Sequence, residues 1–214
     1  MTTTSRGRID KRQAILAGAF TVFARQGYAQ SGVQDIADEA GVAKPTVYNH
    51  MTDKATLFRN ALEATARAVL DERLAALEPL ADPGDDLCAT LDDVAYTLLV
   101  LHTDERSCAL RRLLYTEITT FPDALDIVKG HGPQRLNEAL ADRLARLTLA
   151  GRLRATEPEL AAEQLTSLLV GPLEARTQMG TLAIDEADLR TVARAAVRTF
   201  LRVWGPEQEA RRPG

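Results

Sequence analysis

Cysteine is scarce in this chain, with only Cys88 and Cys108 in 214 residues. So few cysteines exclude a disulfide-stapled secreted scaffold and suit a reducing compartment. Both fall in leucine-rich helical pattern, where a buried small hydrophobe is the default reading and redox sensing the alternative. Aromatics are 5% of the residues. β-Branched residues are few beside alanine and leucine, which favours an all-helical protein. No apolar run approaches the ~18 residues of a membrane span, and the N-terminal MTTTSRGRID has no apolar core of a signal peptide. A soluble, cytoplasmic protein without a membrane partner is expected. The three histidines (His50, His102, His131) and the cysteines show no metal-ligand spacing, His102 and Cys108 being six apart and not one helical turn. There is no G-x-S-x-G, P-loop or G-x-G-x-x-G. No catalytic residue, metal or cofactor is therefore expected, and an enzyme is not.

What is present is enough chain for one large or two small domains with a substantial core. The net charge is −4, but its distribution is uneven. Residues 1–54 hold seven Lys/Arg and five Asp/Glu, net +2, which leaves 26 − 7 basic against 30 − 5 acidic residues beyond, net −6. A mildly basic small domain on an acidic larger one fits a DNA reader carrying a separate ligand or partner domain.

Along the chain, residues 1–7 read as disordered, with Arg6 and Arg8 at the edge of order. A helix is expected from Ile9 to Gln26, its apolar face Ile15, Ala19, Val22 and Phe23, its stop Gly27. Ser31 with Gln34 three residues on reads as a capping box for a second helix. Val33, Ile36, Ala37 and Ala40 then recur at i, i+3, i+4, i+7. Gly41 ends that helix where positive φ is needed, and Pro45 opens a third running to about Met51. Two short helices joined by a tight turn, too short to stand alone, are what a helix-turn-helix uses to enter a DNA groove. Thr52 is expected to cap a long fourth helix reaching about Leu77. PLADPGDD (79–86) is a break. Helical pattern resumes with Leu87, Leu91, Val94, Ala95, Leu98 and Leu99, then from Asp104 to Pro122, then in one interrupted amphipathic segment ending at Gly151. Two more helices follow, over 158–180 and 185–204.

The runs IL-x-G-A-x-x-V-F-A-R-Q-G-Y (15–28), V-x-D-I-A-x-E-A-G-V-A-K-P-T-V-Y-N-H (33–50) and D-K-A-T-L-F (53–58) together resemble the DNA-binding domain of TetR/AcrR-type transcriptional regulators. LRRLLYTEITTFPDAL (110–125), AGRLRATEPELAAEQL (150–165) and LLVGPLEAR (168–176) look like the AefR-like ligand domain of one branch. The resemblance implies an all-α fold of about nine helices. A three-helix DNA-binding domain would occupy 1–52, a connecting helix 53–78, a ligand-binding and dimerisation domain 79–205 and a disordered tail 206–214. It also implies a homodimer on double-stranded, pseudo-palindromic operator DNA, released by a small-molecule effector. The last two helices would pair with their symmetry mates through Leu165, Leu168, Leu169, Val192, Ala196, Val197 and Phe200.

On the third helix Lys44, Pro45, Thr46, Tyr48 and Asn49 should be exposed, while Val42 and Val47 pack inward. Thr46 and Asn49 can read base edges, and Lys44 can bond guanine or phosphate. The resemblance places Tyr48, His50 and Lys54 on phosphate, with Ser31 a further candidate; such contacts position more than they specify. Arg6 and Arg8 either trail into a minor groove or form a solvated arm. Three positions depart from the family pattern: Gly32 where threonine is usual, Met51 where phenylalanine is usual, and Ala43-Lys44-Pro45 in the turn. Polar residues inside leucine-rich helices, Tyr96, His102, Arg111, Tyr115, Glu117 and Gln178, are candidates for an effector pocket, each also readable as a surface or salt-bridged residue. The expected function is a DNA-binding repressor. The residues leave two alternatives: a same-fold regulator that activates or answers to a protein partner, and a helical enzyme or carrier with an incidental helix-turn-helix.

Overall fold

The computed structural model of the chain describes residues 3–177 and 182–206. Among the described residues there are ten α-helices, one short 3₁₀ turn and no strand. In order these are α1 (Thr3–Gln30), α2 (Val33–Glu39), α3 (Lys44–His50), α4 (Lys54–Ala76), the 3₁₀ turn (Glu78–Ala81), α5 (Leu87–Thr103), α6 (Glu105–Glu117), α7 (Ala124–Lys129), α8 (Pro133–Leu149), α9 (Pro158–Arg176) and α10 (Glu186–Trp204). The amphipathic segment after Pro122, expected to be interrupted near GHGP (130–133), is broken there into α7 and α8. Helix α1 starts at Thr3 and not at Ile9; Thr3–Arg8 contains no proline to prevent it. The pocket candidate Gln178 lies outside the described residues, as does the expected tail from 207 on.

Packing divides the chain into two units, Met1–Leu70 with Glu105–Gly132, and Asp71–Asp104 with Pro133–Gly214. These do not follow the sequence boundaries at 52 and 78: α6 and α7 join the helix-turn-helix. The first unit's core is built from the faces that periodicity picks out. Ile15, Ala19, Val22 and Phe23 of α1, Ile36 and Ala37 of α2, Val47 of α3 and Leu57, Phe58, Ala61 and Leu62 of α4 are all buried. Leu110, Leu113 and Leu114 of α6, then Phe121 and Ala124, belong to the same cluster.

In the second unit α10 packs on α5 and α9, and α8 on α9. Leu87, Leu91, Val94, Ala95, Leu98 and Leu99 all face inward from α5, as their spacing predicts. Asp86 caps this helix, accepting the Ala89 N–H at 2.9 Å. The loop before it is tied down by Arg152, whose guanidinium donates to the carbonyls of Gly84 (2.8 Å) and Asp85 (3.1 Å).

The expected dimer interface needs correction here. Leu165 (3% exposed), Leu169 (3%), Val192 (4%), Ala196 (3%), Val197 (0%) and Phe200 (1%) are already buried within a single chain. Periodicity identifies an apolar face without saying what covers it, and for α10 the cover is α5 and α9. Only Leu168 of that set stays half-buried. The surfaces of these two helices left open carry Leu160, Ser167 and Gly171 on α9, and Thr191, Ala195, Thr199 and Val203 on α10.

Candidate nucleic-acid interface

The helix-turn-helix is set by a short sequence of backbone choices. Helix α2 is capped by Gly32, whose N–H donates to the Asp35 carboxylate at 3.2 Å. The cap is therefore Gly32 with Asp35, one residue later than the expected Ser31 and Gln34. Ser31 is 4% exposed, and its hydroxyl donates to the Tyr28 carbonyl at 2.8 Å. That burial removes it from the set of phosphate contacts. Helix α2 ends in a Schellman motif: Val42 N–H reaches Ala37 O at 2.9 Å and Gly41 N–H reaches Asp38 O at 3.2 Å, with Gly41 at φ 63°. Ala43 is extended, and Pro45 sits in the first turn of α3, where its missing N–H costs nothing.

Seven residues form α3, so its orientation depends on what it buries. Val47 (1% exposed) and, just after the helix, Met51 (5%) anchor it in the core. Val42 packs against the same cluster at partial burial. With that side fixed, Lys44, Pro45, Tyr48 and Asn49 are exposed and Thr46 and His50 half-buried. Tyr48 is 52% exposed, so it is not the core aromatic it could have been. An exposed strip of amide, hydroxyl, phenol and ammonium groups, free of carboxylates, has the donors needed for base edges and phosphates. Met51 fills a place where phenylalanine is usual and also accepts from the Asn60 side-chain amide (Sδ at 3.2 Å).

Helix α4 is capped by Asp53, not Thr52. Its carboxylate accepts from Thr56 N–H at 2.7 Å and from the Thr56 hydroxyl at 3.0 Å. These bonds hold the Asp53 carboxyl below its ordinary value. Lys54, the first residue of α4, has its ammonium 4.6 Å from the Tyr28 ring centroid and 3.4 Å from the Ala29 carbonyl.

The segment linking α6 to α7 is fastened to the same unit. Glu117 Oε1 accepts the Tyr28 N–H at 3.0 Å. Phe121 lies 4.6 Å from the Tyr28 ring and 4.5 Å from Phe58, centroid to centroid. Arg59 donates to Asp123 at 2.6 Å, and its guanidinium lies 5.0 Å from the Phe121 ring. That bond holds the Asp123 carboxyl below its usual value.

The described pocket candidates fall in both units, Tyr96 and His102 in the second and Arg111, Tyr115 and Glu117 in the first. The Glu117 carboxylate accepts the Tyr28 backbone N–H, and Tyr115 is 72% exposed. Arg111 donates to Cys108 Sγ at 3.3 Å within α6. Tyr96, half-buried on α5, carries the Arg190 guanidinium 3.9 Å from its ring centroid, and His102 is half-buried near the end of the same helix. Cys88 is exposed and not buried. Desolvation, reinforced by the carboxylates of Asp92 and Asp86, pushes its thiol up, which works against a reactive thiolate. No helix among the described residues is long and apolar enough to cross a membrane. The side chains of Arg6 and Arg8 lie outside the described part. Sequence reasoning missed Tyr28, Phe121 and Arg59 as neighbours of this site. The signal for Tyr28 was available in the Gly27-Tyr28 pair; Phe121 and Arg59 carry no local one.

Comparison with known proteins matches two stretches of the chain. Residues 15–61 match the profile described as bacterial regulatory proteins, tetR family. Residues 89–206 match the AefR-like transcriptional repressor, C-terminal domain. A Mesorhizobium loti MAFF303099 protein assigned to the TetR regulators has a solved structure that superposes with TM-score 0.85 at 30% identity, covering 96% of this chain and 100% of that one. The flavonoid-responsive regulator FrrA superposes with TM-score 0.71 at 25% identity, covering 92% and 98%. Among curated relatives, the transcriptional activator FasR of Mycolicibacterium smegmatis is 39% identical over 56 residues, 26% of each chain. The alignments to the first curated relatives span about a quarter to a half of their lengths, 26%, 47% and 48%.

Proposed function

The chain belongs to the TetR family of bacterial transcriptional regulators, and from that premise we propose that it is a homodimeric repressor released from operator DNA by a small molecule. The observation that carries the DNA half is α3: a helix anchored by Val47 and Met51 that turns Lys44, Tyr48 and Asn49 to solvent. Asn49 and Thr46 read base edges, Asn49 by the paired donor and acceptor that match adenine. Tyr48, Lys44, His50 and Lys54 bind phosphates and set register. A second copy places the other α3 about 34–36 Å away, one turn of DNA, so the operator is pseudo-palindromic. The dimer forms through the open sides of α9 and α10, with Leu160, Leu168 and Gly171 meeting Ala195, Thr199 and Val203.

Repression is preferred to activation because the match to an AefR-like repressor domain covers the effector half, whereas the match to an activator covers only 56 residues. The reading groups support no chemistry, and the family is one of regulators, which disfavours an enzyme or carrier. The flavonoid-responsive neighbour makes planar polyphenols the first compounds to assay, with Tyr96 and His102 on α5 the first residues to vary.

The test is fluorescence anisotropy on a site selected from random duplex DNA. A dimer that neutralises roughly six to ten phosphates should lose roughly 10³–10⁵ in affinity between about 50 and 200 mM salt, and Tyr48→Ala should weaken binding further. Binding indifferent both to salt and to Tyr48→Ala would sink the proposal.

A further inference from the structure

We propose that Tyr28 is a positioning residue for DNA binding: its ring is a platform that aims the Lys54 ammonium at a phosphate, and Glu117 of α6 holds that platform in place. The inference rests on the DNA-binding reading above. A lysine side chain has four rotatable bonds, and a phosphate contact requires that its ammonium be found in one place. Here the ammonium stands over the Tyr28 ring at 4.6 Å, an attraction set by the ring's negative face. The protein acceptor in reach among the described residues is the Ala29 carbonyl, at a long 3.4 Å. An ammonium has three donors, and Lys54 is half-buried, so donor capacity remains toward solvent.

The platform itself is fixed from two sides. The Tyr28 ring meets Phe121 edge-on (4.6 Å, 80°) and Phe58 at 5.2 Å and 68°. Its backbone N–H is held by Glu117 Oε1 at 3.0 Å. It directly follows Gly27, whose φ of 75° and ψ of 168° kink the chain within α1. Without Glu117 the Tyr28 N–H loses its acceptor at that turn, and the ring loses the backbone anchor that orients it. The end of α6 therefore bears on the reading helices through the Glu117–Tyr28 hydrogen bond, whose far consequence is the position of a phosphate-binding lysine.

The readout is the slope of log K against log[salt], which counts phosphate contacts where plain stability does not. Lys54→Met should reduce that slope by about 1.8 in a dimer, one contact of ~0.9 from each protomer. Across a fourfold change in salt, that is roughly 12-fold less affinity lost. Tyr28→Phe, which keeps the ring face, should leave the slope as in the wild type. Tyr28→Leu should reproduce most of the Lys54→Met decrease and add nothing in the Lys54→Met background. Should circular dichroism show Tyr28→Leu unfolded, Glu117→Ala carries the test with the same expected decrease, and Glu117→Gln, which keeps an acceptor, should restore the slope. A Lys54→Met slope that falls while the folded Tyr28→Leu or Glu117→Ala slope stays at the wild-type value overturns the proposal, as does a Lys54→Met slope that does not fall. Wild-type binding with no salt dependence instead overturns the DNA-binding reading, and this inference with it.

Discussion

Replacing Gly27 should cost the first unit more stability than the same replacement at Gly41, although both glycines have positive φ. Gly27 sits at φ 75°, ψ 168°, a region that only glycine populates readily, so forcing alanine there costs about 1–3 kcal/mol. Gly41, at φ 63° inside a Schellman motif, is in the left-handed helical well, where an L-residue costs about 1–2 kcal/mol. Each cost comes from Cβ against its own adjacent backbone and not from more distant neighbours. A Cβ at Gly27 would meet nothing nearer than Glu117 Oε1 at 3.5 Å, and at Gly41 nothing within 4 Å. Alanine also restricts the unfolded chain, which returns about 0.4–1 kcal/mol in both variants. Asparagine separates the positions more sharply, because it tolerates the left-handed helical well but not the Gly27 region. Gly41→Asn should stay near wild type, within about 0.5 kcal/mol, while Gly27→Asn loses about 1–2 kcal/mol. For a chain of this size 1 kcal/mol is roughly 2–4 °C in Tm. The assay is urea unfolding followed by far-ultraviolet circular dichroism, since the lone Trp204 lies in the other unit. An unchanged m-value would show that stability and not the denatured state has moved. A Gly27→Asn protein as stable as wild type, or a Gly41→Asn protein less stable than it, refutes the reasoning.

Leu168→Glu should give a folded monomer by sedimentation, whereas Val197→Glu, at a position with no exposure, should melt early; a Val197→Glu protein with wild-type Tm would show that its burial is not structural. Asp123→Asn should flatten the acid side of the stability profile. The Arg59 hydrogen bond depresses the Asp123 carboxyl, so its stabilisation is present above the unfolded value of 3.8 and is lost as pH falls through the lower folded value; Tm against pH below about 4 reads this. Asp92 has the opposite sign. Burial pushes its carboxyl up, Arg194 and Arg198 pulling it down and Asp93 and Asp86 adding to the rise, and its Oδ1 is buried without a partner. Ionised Asp92 therefore destabilises the fold above the raised value, and Asp92→Asn should raise Tm at neutral pH; a lower Tm would mean that the two arginines dominate. Replacing Cys88 and Cys108 by serine should leave DNA release under oxidant unchanged, and a lost oxidant response would restore the redox reading.

The helix-turn-helix was legible because its signals are local. Gly41 and Pro45 act on their own φ angles, and Val33–Ala40 shows its buried side through spacing alone. The caps were legible to within one residue. Ser31 and Gly32, like Thr52 and Asp53, are neighbours of similar local merit, and tertiary packing chose between them. Ser31 turned inward to the Tyr28 carbonyl, and that left Gly32 with Asp35 to open α2.

What sequence left hidden is the pairing of faces. Helix α10 shows its apolar stripe plainly, yet the stripe has two possible covers, a second chain or α5 and α9 of the same one. Spacing is identical in both cases; only the burial of Val192, Val197 and Phe200 within one chain decides. Glu117 has the same history. A carboxylate in a leucine-rich helix looks out of place, and it is, but its partner is the Tyr28 N–H, 89 positions away. No local pattern encodes a contact at that separation. A polar residue on an apolar face thus reports that something must satisfy it, and the structure supplies what: here the backbone of the DNA-binding unit, which makes the end of α6 part of the reading head in packing, though not in sequence.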